Sequence, residues 1–205
     1  MNSKLNRVLK EESGVTALET AIILIAFVVV AAIFAFTILS TGTFLTERSK
    51  EAAYAGLQEV RGSMELKGSL VATDSAANGD VNFIELTVAT AAGGSSVDLS
   101  TGANAKVQIT YHDADTNQIL TATDGTTNTV GGWVVTACSN CGGVANAWIL
   151  IPGGLARITV GPPAAAVLKL RAYRTFSIEI KPPTGGTMLI ERTLPAEITA
   201  ITDLK

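Results

Sequence analysis

Gly14-Val15-Thr16-Ala17-Leu18-Glu19, followed after Thr20 by the run Ala21-Ile22-Ile23-Leu24-Ile25-Ala26-Phe27-Val28-Val29-Val30-Ala31-Ala32-Ile33-Phe34-Ala35-Phe36-Thr37-Ile38-Leu39, decides how the chain is built. The run is 19 residues long, only Thr37 in it is not hydrophobic, and no charged residue occurs between Glu19 and Glu47. As a helix it is long enough to cross a hydrocarbon core of roughly 30 Å. It therefore belongs in a membrane or inside an assembly. Glu19 at its start is the informative detail, because a carboxylate in apolar surroundings is costly and normally has a partner or a task. Upstream, residues 1–14 form a polar leader in which Lys4, Arg7 and Lys10 precede Glu11 and Glu12.

Downstream, the helical pattern outlasts the apolar run. After the charged cluster Glu47-Arg48-Ser49-Lys50-Glu51, the residues Ala53, Leu57, Val60 and Met64 recur at spacings of four, three and four, which makes one apolar stripe. No proline lies between Val15 and Pro152, and Gly42, Gly56 and Gly62 only weaken the pattern. The spacing predicts a helix over 15–67, about 78 Å long to Leu66 at 1.5 Å per residue. A helix of that length cannot be buried by one attached domain, so it needs neighbours. Ala26, Ala31, Ala32 and Ala35 would let such neighbours approach closely. A single-span anchor for an external domain satisfies the same hydropathy and the basic leader. A conventional secretory signal would instead require a small-residue cleavage site closing the run.

From Lys67 the period changes from 3.6 to two. Short alternating runs at 69–73, 81–89, 105–112, 118–123, 133–137, 147–151, 156–160, 167–172, 176–181 and 187–193 read as strands. Phe176-Ser177-Ile178-Glu179-Ile180-Lys181 alternates strictly. Turns are predicted at Gly142-Gly143, Pro152-Gly153-Gly154 and Pro182-Pro183-Thr184-Gly185-Gly186, among others. The fold class is thus α+β: a long N-terminal helix followed, over 68–205, by an immunoglobulin-like antiparallel β-sandwich or barrel.

Composition and chemistry point away from catalysis. A net charge of -3 offers no basic field, so no nucleic-acid partner is expected. One His and two Cys in 205 residues leave little for a catalytic or metal centre, and no Ser/His/Asp set or phosphate-cradling loop is recognisable. Cys138-Ser139-Asn140-Cys141 sits in a Gly-rich stretch read as a turn, where a local disulfide is the main reading and free thiols the other. Asp113, Asp115 and Asn117 place oxygens at alternate positions like the first part of a calcium loop, but the Gly and bidentate Glu that should follow are missing. A hairpin loop accounts for them better, with calcium or another metal as the weaker reading. No cofactor is expected.

The leader, Gly14, Glu19 at the fifth place after it, and the hydrophobic helix together resemble the class III signal peptide and N-terminal helix of type IV pilins and archaellins. Bacterial pilins usually carry Phe after the cleaved Gly and a kinking Pro farther on. This chain has Val15 and no helix proline, and 18–32 with Ser40-Thr41-Gly42-Thr43-Phe44-Leu45 looks more like an archaellin. Phe176, Glu179, Lys181, Pro182, Gly185, Leu189, Ile190, Arg192 and Pro195 resemble the archaellin C-terminal end. The resemblance implies cleavage between Gly14 and Val15 by a prepilin-type signal peptidase. It also implies a membrane-held precursor, and a homopolymer built at the cell surface by a membrane platform and ATPase for swimming. It further implies that Glu19 meets the new α-amino group of a neighbouring Val15. From the spacing alone, the stripe with Leu57 and Val60 is expected to pack on the chain's own head domain or on adjacent helices. A non-rotating adhesion pilus and a monomeric membrane-anchored binding domain are the alternative readings.

Overall fold

The computed structural model describes the backbone of residues 2–75, 78–125, 130–144, 146–163 and 170–204, with side chains from residue 16 onward. It divides into two compact units, Met1–Tyr54 and Ala55–Lys205. The first is purely helical, part of α1 (Asn2–Arg61). The helix already includes the leader backbone, and it carries good helix formers and no proline throughout. At the predicted cleavage site between Gly14 and Val15 only the helical backbone is described, and the Val15 side chain lies outside the described residues.

The helix stops earlier than its stripe suggests. Arg61 is its last residue, and Met64–Leu66, read from the sequence as the final helical turn before a boundary at residue 67, is a strand, β1. It pairs antiparallel with β3 (Phe83–Thr90), with Met64 opposite Thr90 and Leu66 opposite Val88. Met64 fits a helical stripe and a strand equally well, and burial in the head core decides for the strand.

The second unit is a β-domain. Besides β1 and β3 it contains β2 (Leu70–Thr73), β4 (Val97–Asp98), β5 (Gln108–Asp113) and β6 (Asn117–Ala122). It continues with β7 (Gly132–Val144), β8 (Ala147–Val160), β9 (Thr175–Lys181), β10 (Met188–Thr193) and β11 (Ile201–Leu204). The hydrogen-bonded order is β10-β9-β5-β6-β7-β8-β3-β2-β11, with β1 on β3 and β4 on β8. All pairs are antiparallel except β6 with β7, where Thr121 meets Gly132 and Ala122 meets Trp133. That short parallel seam joins two curved sheets into a nearly closed, barrel-like sandwich, so the predicted fold class holds. The period-two residues do the work: Ile109, Tyr111, Phe176, Ile178 and Ile180 from one sheet face Ile84, Leu86, Trp133, Ile158 and Val160 from the other, all buried. Tyr111 and Phe176 stack with ring centroids 6.3 Å apart.

The β7–β8 hairpin differs from its sequence reading. Gly142-Gly143 lies in β7 and Pro152-Gly153-Gly154 within β8, so neither is the reversal. The last cross-strand pair is Val144 with Ala147, and Asn146 has φ 70°. Between the pairs Cys141↔Leu150 and Ser139↔Leu155, residues 151–154 face Asn140 alone. This bulge accommodates Pro152, which cannot donate to a ladder. A Cβ at Gly154 would stand 2.5 Å from the Asn140 carbonyl oxygen, so the bulge needs a glycine there. The CxxC is accordingly in a strand and not in a turn. Most of the strand predicted at 167–172 lies outside the described residues, and Leu170, Arg171 and Ala172 are not in a strand.

Candidate assembly interface

The side chains predicted to drive assembly all sit on α1, and all are in solvent. Ile22, Ile25, Phe27, Ile33, Phe36 and Ile38 are each more than half exposed, with Phe27 at 71 %. The segment Thr16–Arg61 is long and apolar enough to cross a membrane, and none of its most apolar stretch is buried by the rest of the chain. Ala26, Ala31, Ala32 and Ala35 are exposed among these bulky neighbours, and Leu57 and Val60 continue the exposed surface. Apolar residues surround the helix, so no single face is set aside for its own domain.

Polar groups within the segment are largely satisfied by the helix itself. Thr20 donates to the carbonyls of Thr16 (2.9 Å) and Ala17 (3.0 Å), Thr37 to Ile33 (2.8 Å), Thr43 to Ser40 (2.9 Å) and Thr46 to Gly42 (2.8 Å). These back-bonds remove the cost of a hydroxyl in apolar surroundings. At the polar end, Arg48 pairs with Glu51 at 2.9 Å and lies 5.5 Å from the Phe44 ring centre. Glu19 is exposed and makes no ion pair among the described residues. Its carboxylate is the group left for a partner.

Within the second unit, the end of the helix is clamped by the β-domain. The Ser95 N–H donates to the Arg61 carbonyl at 2.7 Å, and the Ala91 N–H donates to that of Ser63 at 3.0 Å. The Ser63 hydroxyl donates to the Glu59 carbonyl (3.2 Å) and accepts from the Gly186 N–H (3.1 Å). Carbonyls that a helix end would otherwise leave unpaired are thereby capped from across the fold. Gly62 and Gly185 make this possible: a Cβ on Gly62 would run into the Thr184 carbonyl, and one on Gly185 into the Gly62 backbone. Sequence reasoning treated Gly62 as a mild defect in a helix. A Gly beside a helix end was the available signal.

The other predicted residues fall into the head. Cys138 and Cys141 are joined in a disulfide that spans Asn140 opposite the β8 bulge, with Cα atoms 5.9 Å apart. Asp113 and Asp115 flank the β5–β6 turn, where the Asp113 N–H donates to the Thr116 carbonyl at 2.8 Å. The Arg174 guanidinium lies 3.7 Å from Asp113 and pairs directly with Asp115, supplying the positive charge that a bound cation would have brought. Asn117 is exposed opposite His112. Among the described residues no three His, Cys, Asp or Glu side chains converge. Tyr111 donates to Asp113 at 3.3 Å, and burial, then the Asp113 charge, hold its phenol well above its ordinary pKa. Asp98 is held below its usual range, chiefly by hydrogen bonds from Lys106 (2.7 Å) and then Ser100.

A family model described as archaeal-type flagellin matches residues 14–192. Probable flagellin 1 of Archaeoglobus fulgidus is 34 % identical over 197 residues, covering 94 % of this chain and 95 % of its own length. Probable flagellin 1 of Aeropyrum pernix is 29 % identical over 204 residues, covering 93 % and 96 %. In three dimensions the chain is similar to the subunit in the archaeal flagellum of Methanospirillum hungatei, at a TM-score of 0.62 and 26 % identity over 91 % of this chain and 97 % of that one. It shares the fold of archaeal flagellin FlaB1 from Methanocaldococcus jannaschii at a TM-score of 0.52 and 17 % identity, covering 69 % and 95 %. A signal-like leader, a bare apolar helix and a self-contained β-head thus meet in one chain, which belongs to the archaeal-type flagellin family.

Proposed function

We infer that the chain is the structural subunit of an archaellum-type extracellular filament that serves swimming, polymerised with its helices inside and its β-heads outside. The observation that carries this reading is the apolar surface of α1, left in solvent along its length by a chain whose other domain has its own core. Family membership and the likeness to an archaeal flagellum over most of the chain support it. The subunit works by packing against copies of itself and not as an enzyme.

The route to the filament follows from the helix. The precursor is held in the cytoplasmic membrane by the apolar run, with the basic leader inside. A prepilin-type peptidase cuts between Gly14 and Val15. Cleavage creates an α-amino group on Val15, and the unpaired Glu19 of an adjoining subunit neutralises it as both leave water. Pairing offsets the cost of burying either charge alone and fixes axial register. A membrane platform and ATPase then lift subunits from lipid into the helix bundle, exchanging one apolar environment for another.

The test is the N-terminal sequence and intact mass of protein sheared from the cell surface. An unmodified Val15 terminus in filaments is the expected result. A methylated Val15 would shift the reading to a type IV pilus. Intact Met1 found only in membranes would make the helix a permanent anchor and end the filament reading.

A further inference from the structure

The turn Arg171–Arg174 precedes β9 and closes with the Arg174 N–H donating to the Arg171 carbonyl at 3.2 Å. Tyr173 stands at its third position with φ 62°. That left-handed backbone suits Gly or Asn, and for a bulky aromatic it is a true outlier. The surroundings enforce it. Arg171 pairs with the buried carboxylate of Asp80 at 2.8 Å on one side of the turn. Arg174 is held by Asp113 and Asp115 on the other. The Tyr173 N–H donates to the Leu194 carbonyl at 3.1 Å, and the Leu194 N–H returns a bond to the Arg174 carbonyl at 2.9 Å. What this frame displays is an aromatic ring 75 % exposed, more than any other large hydrophobic side chain among the described residues. A strained position kept in place by so many bonds is where a functional side chain is to be sought.

We propose that Tyr173 is an anchor by which one head grips the head of a second copy of this chain. The inference rests on the filament reading, because bundled helices bring heads side by side and give the ring a neighbour to meet. Helical polymers join through heterologous contacts, so a projecting knob on one subunit needs only a receiving surface elsewhere on the next. Tyrosine suits the knob: it offers a large rigid contact area with few rotatable bonds and a hydroxyl for a hydrogen bond at the rim. The flanking arginines are already neutralised by Asp80, Asp113 and Asp115, so the ring docks without bringing unpaired charge into the contact.

The strain makes the test two-sided. Tyr173→Asn fits the left-handed backbone while removing the ring. In the full chain in detergent micelles, the head's melting temperature should hold or rise by up to about 4 °C. Filaments sheared from cells in which the variant is the subunit should be several-fold shorter than wild type. Tyr173→Phe should keep wild-type filament length. If the Asn variant melts as expected and its filaments match wild type in length, Tyr173 is a turn residue and the proposal falls. If the Asn variant's head melts well below wild type, the ring stabilises its own head and the proposal falls as well. If the wild-type protein yields no filaments, the failure lies with the filament reading itself.

Discussion

The helix and the head obey opposite rules of burial. In the head, alternate residues of nearly every strand find cover within the same chain, and Ile84, Ile109, Ile158 and Ile178 are fully buried. On the helix, residues of the same type stand more than half exposed. Burying an aliphatic side chain is worth roughly 1.5–3 kcal/mol wherever it occurs. The head realises that energy in folding, whereas the helix can realise it only in lipid or among copies of itself. One composition of apolar residues therefore yields a stable domain in one region and an adhesive surface in the other.

Substitutions should separate the two regions cleanly. Phe27→Asp puts a charge at mid-helix, at a cost of about 2.5–3.5 kcal/mol for a membrane span and repeated in every subunit of a bundle. Filaments should be lost by electron microscopy, while the head's thermal transition stays where it was. A head transition that moved with it would mean that the units fold together. Ile158→Ala should do the reverse, lowering head stability by about 2–5 kcal/mol in chemical denaturation while leaving membrane insertion of the precursor intact. Gly185→Ala tests the place where helix end and head meet. With φ 113° and the Gly62 backbone in the way, it should cost about 1–3 kcal/mol and speed hydrogen exchange at the Ser95 and Gly186 amides. Unchanged exchange there would remove the clamp from the account.

The smallest effect is a matter of pH. The folded-state pKa of Tyr111 is raised, so the native head holds this proton more tightly than the unfolded chain. Its contribution is fully present below about pH 10 and is lost as pH rises toward the folded value, with a slope of at most about 1.4 kcal/mol per pH unit. Tyr111→Phe should flatten the fall in stability between pH 9 and 11.5, measured as urea midpoints. An identical fall in both proteins would show that the phenol is not what limits alkaline stability.

Much of this contrast was readable in the residues. The uninterrupted run 21–39 could be covered by nothing else in so short a chain, and strict alternation at 176–181 announced a half-buried strand. Reading failed where a local pattern admitted two partners. Met64 satisfies a helical stripe, and only its pairing with Thr90 makes it a strand residue. Pro152-Gly153-Gly154 carries every mark of a turn, yet it is absorbed as a bulge because Leu155 resumes the ladder opposite Ser139. Ile201–Leu204 is too short to show a period and becomes a strand only beside β2. For the candidate site, the exposure of the apolar residues on α1 was evident from position. The clamp of Ser63, Ser95 and Gly186 was not, since its members are far apart in sequence.

The pairing of β2 with β11 also sets a timetable. Leu70 lies opposite Leu204 and Thr73 opposite Ile201, so a strand made early in the head waits for one that emerges only after the other strands described above. Such distant pairings close slowly, because chain entropy must be lost before they reward it. The apolar helix, by contrast, is finished first and needs nothing downstream to be recognised by the membrane. The order of synthesis thus presents the helix while the head is still an open chain. Strand β11 acts as the latch that closes the head.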